Sequence, residues 1–107
     1  MMAERKYQKL VRDNIPDIIR ESGETPVVRT LDDMEYVECL HKKLREEVDE
    51  FLEESTLDEL SDILEVLDAL ANLQGWTDGE IQKARRDKAE ARGAFRERVY
   101  LEKVVED

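Results

Sequence analysis

The stretch Glu46-Glu47-Val48-Asp49-Glu50-Phe51-Leu52-Glu53-Glu54-Ser55-Thr56-Leu57-Asp58-Glu59-Leu60-Ser61-Asp62 decides how this chain is read. It holds the end of one helical pattern, a connector, and the start of the next. Three- and four-residue spacings place Glu46, Glu47 and Glu50 on adjoining faces of the first helix, and Glu59 and Asp62 one turn apart on the second. A turn between them folds the helices back together and sets the two acidic groups face to face. The whole stretch lacks a basic residue. Carboxylates gathered beside an apolar seam repel one another and call for a compensating charge. A hard divalent cation meets that need, and magnesium with a phosphate substrate is the economical choice.

Outward from this stretch, the helical pattern extends both ways. Asp32 and Glu35 have capping-box spacing, after which Tyr36, Leu40, Leu44, Val48, Phe51 and Leu52 recur at helical intervals to about Glu54. Thr56 and Glu59 repeat the box and open a second helix carrying Leu60, Ile63, Leu64, Leu67, Leu70 and Ala71, with a stop near Gln74-Gly75. A third box, Thr77 with Glu80, begins a highly charged helix to about Arg92, where Gly93 interrupts it. Asp13 or Asn14 caps a short helix with Pro16 in its first turn, ending near Gly23. Glu24 to Leu31 reads as a connector with a short strand, and Phe95 to Val104 as a terminal helix or an extended segment. The expected fold is all-α: an antiparallel helical hairpin with accessory helices, assembling into an oligomeric helical bundle. A single domain over 1–107 is the simplest organisation.

Composition narrows the class. The 107 residues are 40% hydrophobic and 42% charged, with a formal net charge of -11. That charge argues against nucleic-acid and anionic-membrane partners, though metal ions and a few bases can still draw an anionic nucleotide into one cleft. Cys39 is the single cysteine, so no intrachain disulfide forms. The start of the chain is polar, without a signal-peptide core, and no apolar run reaches the roughly 20 residues of a membrane span. The expected location is cytoplasmic.

Spacing alone leaves two readings open for the carboxylates, a metal site or solvated helix faces. Glu59 has a further innocent explanation as the cap partner of Thr56. Glu65 extends the acidic line of the second helix and is a candidate to orient a ligand from behind the metal-binding residues. His41 stands alone beside Lys42 and Lys43 and makes an unconvincing ligand. Tyr7, Tyr36, Trp76, Phe95 and Tyr100 are each able to stack on a nucleobase or to pack between helices.

The pattern Glu46-Glu47-Val48-Asp49-Glu50 followed by Glu59-Leu60-Ser61-Asp62 resembles the metal-binding signature of the all-α nucleoside triphosphate pyrophosphohydrolases, the MazG-like superfamily. Lys9-Leu-Val-Arg-Asp-Asn-Ile-Pro16 and the segment from Lys88 through Arg92-Gly-Ala-Phe95 are similar to one MazG-like subgroup, in which position 14 is often lysine. The resemblance covers about Lys9 to Leu101. It implies Glu47, Glu50, Glu59 and Asp62 as ligands of Mg²⁺, with Mn²⁺ as a substitute, and Glu46 as the group that positions or deprotonates the attacking water. It implies Lys88, Arg92, Lys9 and Arg12 as phosphate-binding charges, arginine offering a fork to the oxygens. The implied reaction hydrolyses a nucleoside triphosphate, standard, non-standard or damaged, to monophosphate and pyrophosphate in a homodimer or homotetramer. Two alternatives accompany it: a phosphoribosyl-ATP pyrophosphohydrolase, and a non-enzymatic acidic helical oligomerisation or regulatory module.

Overall fold

Asp32 starts the longest helix by accepting the Glu35 backbone N–H at 2.9 Å, which satisfies one of the free donors of a helix start. The computed structural model describes residues 3–106. These form four α-helices: α1 (Ile15–Glu21), α2 (Asp33–Glu53), α3 (Leu57–Gln74) and α4 (Asp78–Arg92). No strand occurs among the described residues, so the segment 24–31 is a connector without the expected strand. The residues divide into two compact units, one through Leu73 and one from Gln74.

In the first unit, α1 is short for local reasons. Pro16 favours its first turn, but the Asn14 side chain makes no capping hydrogen bond. At the other end Gly23 takes φ +90° while the Glu24 N–H returns to the Ile19 carbonyl, a glycine-dependent stop. Helix α2 buries Leu40 and, seven residues later on the same face, Glu47. Tyr36, Leu44, Val48 and Phe51 are half-buried around them. The helix ends where Glu54 becomes extended and the Ser55 hydroxyl donates to the Phe51 carbonyl at 2.8 Å.

Only residues 54–56 separate α2 from α3. Thr56 caps α3 by accepting the Glu59 N–H at 3.1 Å. Helix α3 carries two apolar stripes. Ile63, Val66 and Leu70 form the more buried one, in line with Glu59. Leu57, Leu60, Leu64 and Leu67 form the other and are exposed. Only Leu40, Val66 and Ala71 are buried apolar residues among those described. At roughly 1.5–3 kcal/mol for each large side chain, that core contributes little against chain entropy. The exposed leucines are the larger apolar resource of this unit.

In the second unit, α4 opens with both halves of a capping box: Thr77 Oγ1 accepts the Glu80 N–H at 3.1 Å, and Glu80 accepts the Thr77 N–H at 3.2 Å. It closes at Gly93, φ +84°. The segment 94–106 forms neither helix nor strand, and Phe95, Val99, Tyr100, Leu101 and Val104 are exposed.

Candidate metal centre

The site is built by the end of α2, the start of α3 and the segment before α1, all within the first unit. Glu47 comes first because its position is costly. It follows Leu40 by seven residues, in the middle of the apolar face, and only 5% of it is exposed. Lys43, one turn earlier, pairs with Oε1, its Nζ 3.2 Å away. Oε2 is buried with no hydrogen-bond partner among the described residues. Burial pushes the Glu47 carboxyl above its usual range; Lys43 opposes this, while the charges of Glu50 and Asp62 add to it. A carboxylate held this way leaves an acceptor for a positive group.

Glu50 and Glu59 complete a cluster around it. One carboxylate oxygen from each of Glu47, Glu50 and Glu59 can be chosen so that all lie within 4.8 Å of one another. Glu59 Oε2 is likewise buried and unpartnered. The cap explanation for Glu59 therefore accounts for its backbone only: its N–H goes to Thr56, while its side chain lies with Glu47 and Glu50. Three oxygen donors of this kind could hold a hard divalent cation.

Asp62 stands outside this group of three. Its Oδ1 accepts from an Arg12 guanidinium nitrogen at 2.7 Å, the two side chains being 33% and 53% exposed. That hydrogen bond raises the Arg12 guanidinium above its ordinary value, and Glu65 and Glu47 add attraction. Arg12 thus bonds a carboxylate of the acidic line. Glu65 is exposed and borders a groove of about 400 Å³ with Asp13, Tyr36, Asp68 and Asn72. Three carboxylates make that groove unfavourable for an anion.

Glu46 is half-buried and faces another pocket, of about 240 Å³, which Lys9 also lines. Lys42 and Lys43 complete its basic wall. In the sequence these lysines stand out only as the neighbours of His41, although the four-residue step from Lys43 to Glu47 is a readable signal of an ion pair. Lys88 and Arg92 lie on α4, in the second unit, and both are exposed. Of the aromatic residues, Tyr36 is half-buried, whereas Tyr7 and Trp76 are 62% and 56% exposed. His41 is exposed, and Cys39 is half-buried with a free thiol.

No protein-family model matches the chain, and no solved structure matches it. A Mycolicibacterium smegmatis protein described only as uncharacterized is 56% identical over 50 residues, which is 47% of this chain and 51% of that relative. The chain thus spans about half the length of the curated relative it matches.

Proposed function

We propose that the chain hydrolyses nucleoside triphosphates, standard or damaged, to nucleoside monophosphate and pyrophosphate with Mg²⁺. The observation that carries this reading is Glu47, buried with an unpartnered carboxylate oxygen and grouped with Glu50 and a similarly unpartnered Glu59. A solvated acidic face would leave such oxygens in water. Glu47, Glu50 and Glu59 would hold the cation, with Asp62 joining them when Arg12 releases it. When bound, a divalent cation neutralises phosphate charge and makes water a better nucleophile.

The chain's own residues account for the remaining steps. Glu46 receives the proton of the attacking water, whose oxygen bonds to the α-phosphorus as the bridge to the β-phosphorus breaks. Pyrophosphate departs with the bridging oxygen. Lys9, and Arg12 once free of Asp62, attract phosphate oxygens, and the resemblance implies a phosphate-binding role for Lys88 and Arg92 as well. The antiparallel pairing of α2 with α3 belongs to this reading. So does assembly of two or four copies over Leu57, Leu60, Leu64 and Leu67, whose exposure supports it. No helix among the described residues is long and apolar enough to cross a membrane; a cytoplasmic location is part of the same proposal.

Product separation tests the reading. Incubation of the protein with a panel of nucleoside triphosphates and Mg²⁺ is expected to yield equal monophosphate and pyrophosphate, with release lost in Glu47→Gln while the helical circular-dichroism signal persists. No turnover on the panel, nor on phosphoribosyl-ATP, would leave the helical oligomerisation module as the better account.

A further inference from the structure

The pocket of about 240 Å³ beside Glu46 is lined by three lysines and one carboxylate, the reverse of the acidic cluster's charge. We infer that it is the subsite for the diphosphate end of the ligand, with Lys42 and Lys43 as binding residues alongside Lys9; this rests on the metal-dependent reading above. Four observations converge on it. Lys9, Lys42 and Lys43 line one small pocket against the single carboxylate of Glu46, a local excess of positive charge on a chain of net charge -11. Lys43 is only 21% exposed in its side chain and its Nζ lies 3.2 Å from Glu47 Oε1. The basic pocket and the acidic cluster therefore share a wall, so one ligand can meet a cation on one side and ammonium groups on the other.

Among the described residues, neither Lys9 nor Lys42 has a carboxylate partner within salt-bridge distance. Both are available to an incoming anion. The pocket also contains Gln8, at φ +49°, a left-handed backbone that a non-glycine residue adopts at a cost and that recurs at ligand sites. It sits next to Lys9 in the pocket lining.

Size and charge select the ligand. About 240 Å³ falls below the roughly 300–1,000 Å³ of pockets that enclose whole drug-sized molecules. It suits a compact group of high negative charge. A diphosphate has that charge, either as free pyrophosphate or as the β,γ end of a nucleoside triphosphate. The larger groove at Asp13, Glu65 and Asp68 has the opposite charge and repels such a group.

Calorimetric titration of the full chain with inorganic pyrophosphate in Mn²⁺ tests the assignment. Lys42→Gln and Lys9→Gln are each expected to weaken binding by about fivefold, and the double variant by about twentyfold. Arg45→Gln makes the same charge change on α2 outside the pocket lining and is expected to stay within about twofold. A nucleoside triphosphate should lose affinity in Lys42→Gln as pyrophosphate does, while a nucleoside monophosphate should not. Unchanged pyrophosphate affinity in both lysine variants would overturn the assignment. So would an equal loss in Arg45→Gln, or an equal loss for the monophosphate. Mn²⁺ binding alone separates the two levels. If it depends on Glu47 while pyrophosphate ignores the lysines, only the diphosphate pocket fails. If wild type binds no Mn²⁺, or Glu47→Gln binds it equally, the metal reading fails and the pocket with it.

Discussion

Replacing Glu47 with glutamine should reverse the order of stability between metal-free and metal-loaded protein. Without a cation, the ionised side chain is 7% exposed with one oxygen unpartnered. An unsatisfied buried polar group costs about 1–3 kcal/mol, and a charged one more. The compensating contact with Lys43, at 3.2 Å and 21% exposed, is a pair of the kind worth about 1 kcal/mol or less. Glutamine removes the charge, forfeits that pair and keeps the shape, for a net gain of about 1–2 kcal/mol in chelator. In a domain of this size that raises the melting temperature by roughly 4–8 °C per kcal/mol. With metal at one hundred times its dissociation constant, wild type gains about 2.7 kcal/mol and overtakes the variant.

The assay is thermal unfolding by circular dichroism, in EDTA and in Mn²⁺. The pH dependence supplies an internal check. Burial raises the folded Glu47 carboxyl above its ordinary 4.5, so its contribution is fully present below 4.5 and is lost as pH rises through the raised value. The gap between variant and wild type in EDTA should therefore narrow on acidification from neutral pH toward 4.5. Glu35 has the opposite sign: its hydrogen bond from Arg29 lowers its carboxyl, so its contribution is lost only as pH falls below 4.5 through that lowered value. A wild type more stable than Glu47→Gln in EDTA, with the same Mn²⁺ response in both, would refute the reasoning.

Other expectations are simpler. Leu40→Ala removes the most buried apolar side chain and should cost about 2–5 kcal/mol in denaturant unfolding. Thr77→Ala removes the hydroxyl that accepts the Glu80 N–H, leaving only the backbone half of the α4 capping box, and should lower helical stability by about 1 kcal/mol, seen as loss of hydrogen-exchange protection over 78–82. Arg12→Gln frees Asp62; the pair is half exposed, so stability should fall by about 1 kcal/mol or less while Mn²⁺ binds roughly two- to fivefold tighter. Asp62→Asn should abolish that gain, because it removes the carboxylate for which Arg12 and the cation compete.

The helices were legible because their boundary chemistry is local. Asp32, Thr56 and Thr77 each cap where spacing placed them, and Gly93 stops α4. The reciprocal half of a box was less legible: Glu80 closes its box, whereas Glu35 pairs with Arg29 and Glu59 turns to the acidic cluster. Side-chain choice there depends on a partner that the local sequence does not name. The depth of Glu47 is readable in its seven-residue step from Leu40, which puts both on one helix face. Arg12 was read as a phosphate ligand, yet it bonds Asp62 across 50 positions, a distance over which periodicity carries no information. Lys42 was hidden for a related reason, since only the approach of Tyr7, Gln8 and Lys9 turns that helix face into a pocket.

The three-residue joint between α2 and α3 has a consequence for cooperativity. Glu50 lies four residues before the joint and Glu59 three residues after it, so both donors occupy terminal turns, where helices fray most readily. Each opening of the Thr56 cap would dissolve the three-carboxylate arrangement even with the rest of the unit intact. A cation bridging Glu50 and Glu59 would clamp two helix ends at once, lowering their opening frequency by the same factor by which it favours the closed joint. Metal affinity and end-fraying are then one equilibrium seen from two sides: a better cap at position 56 preorganises the site, and a bound ion acts as a removable cap.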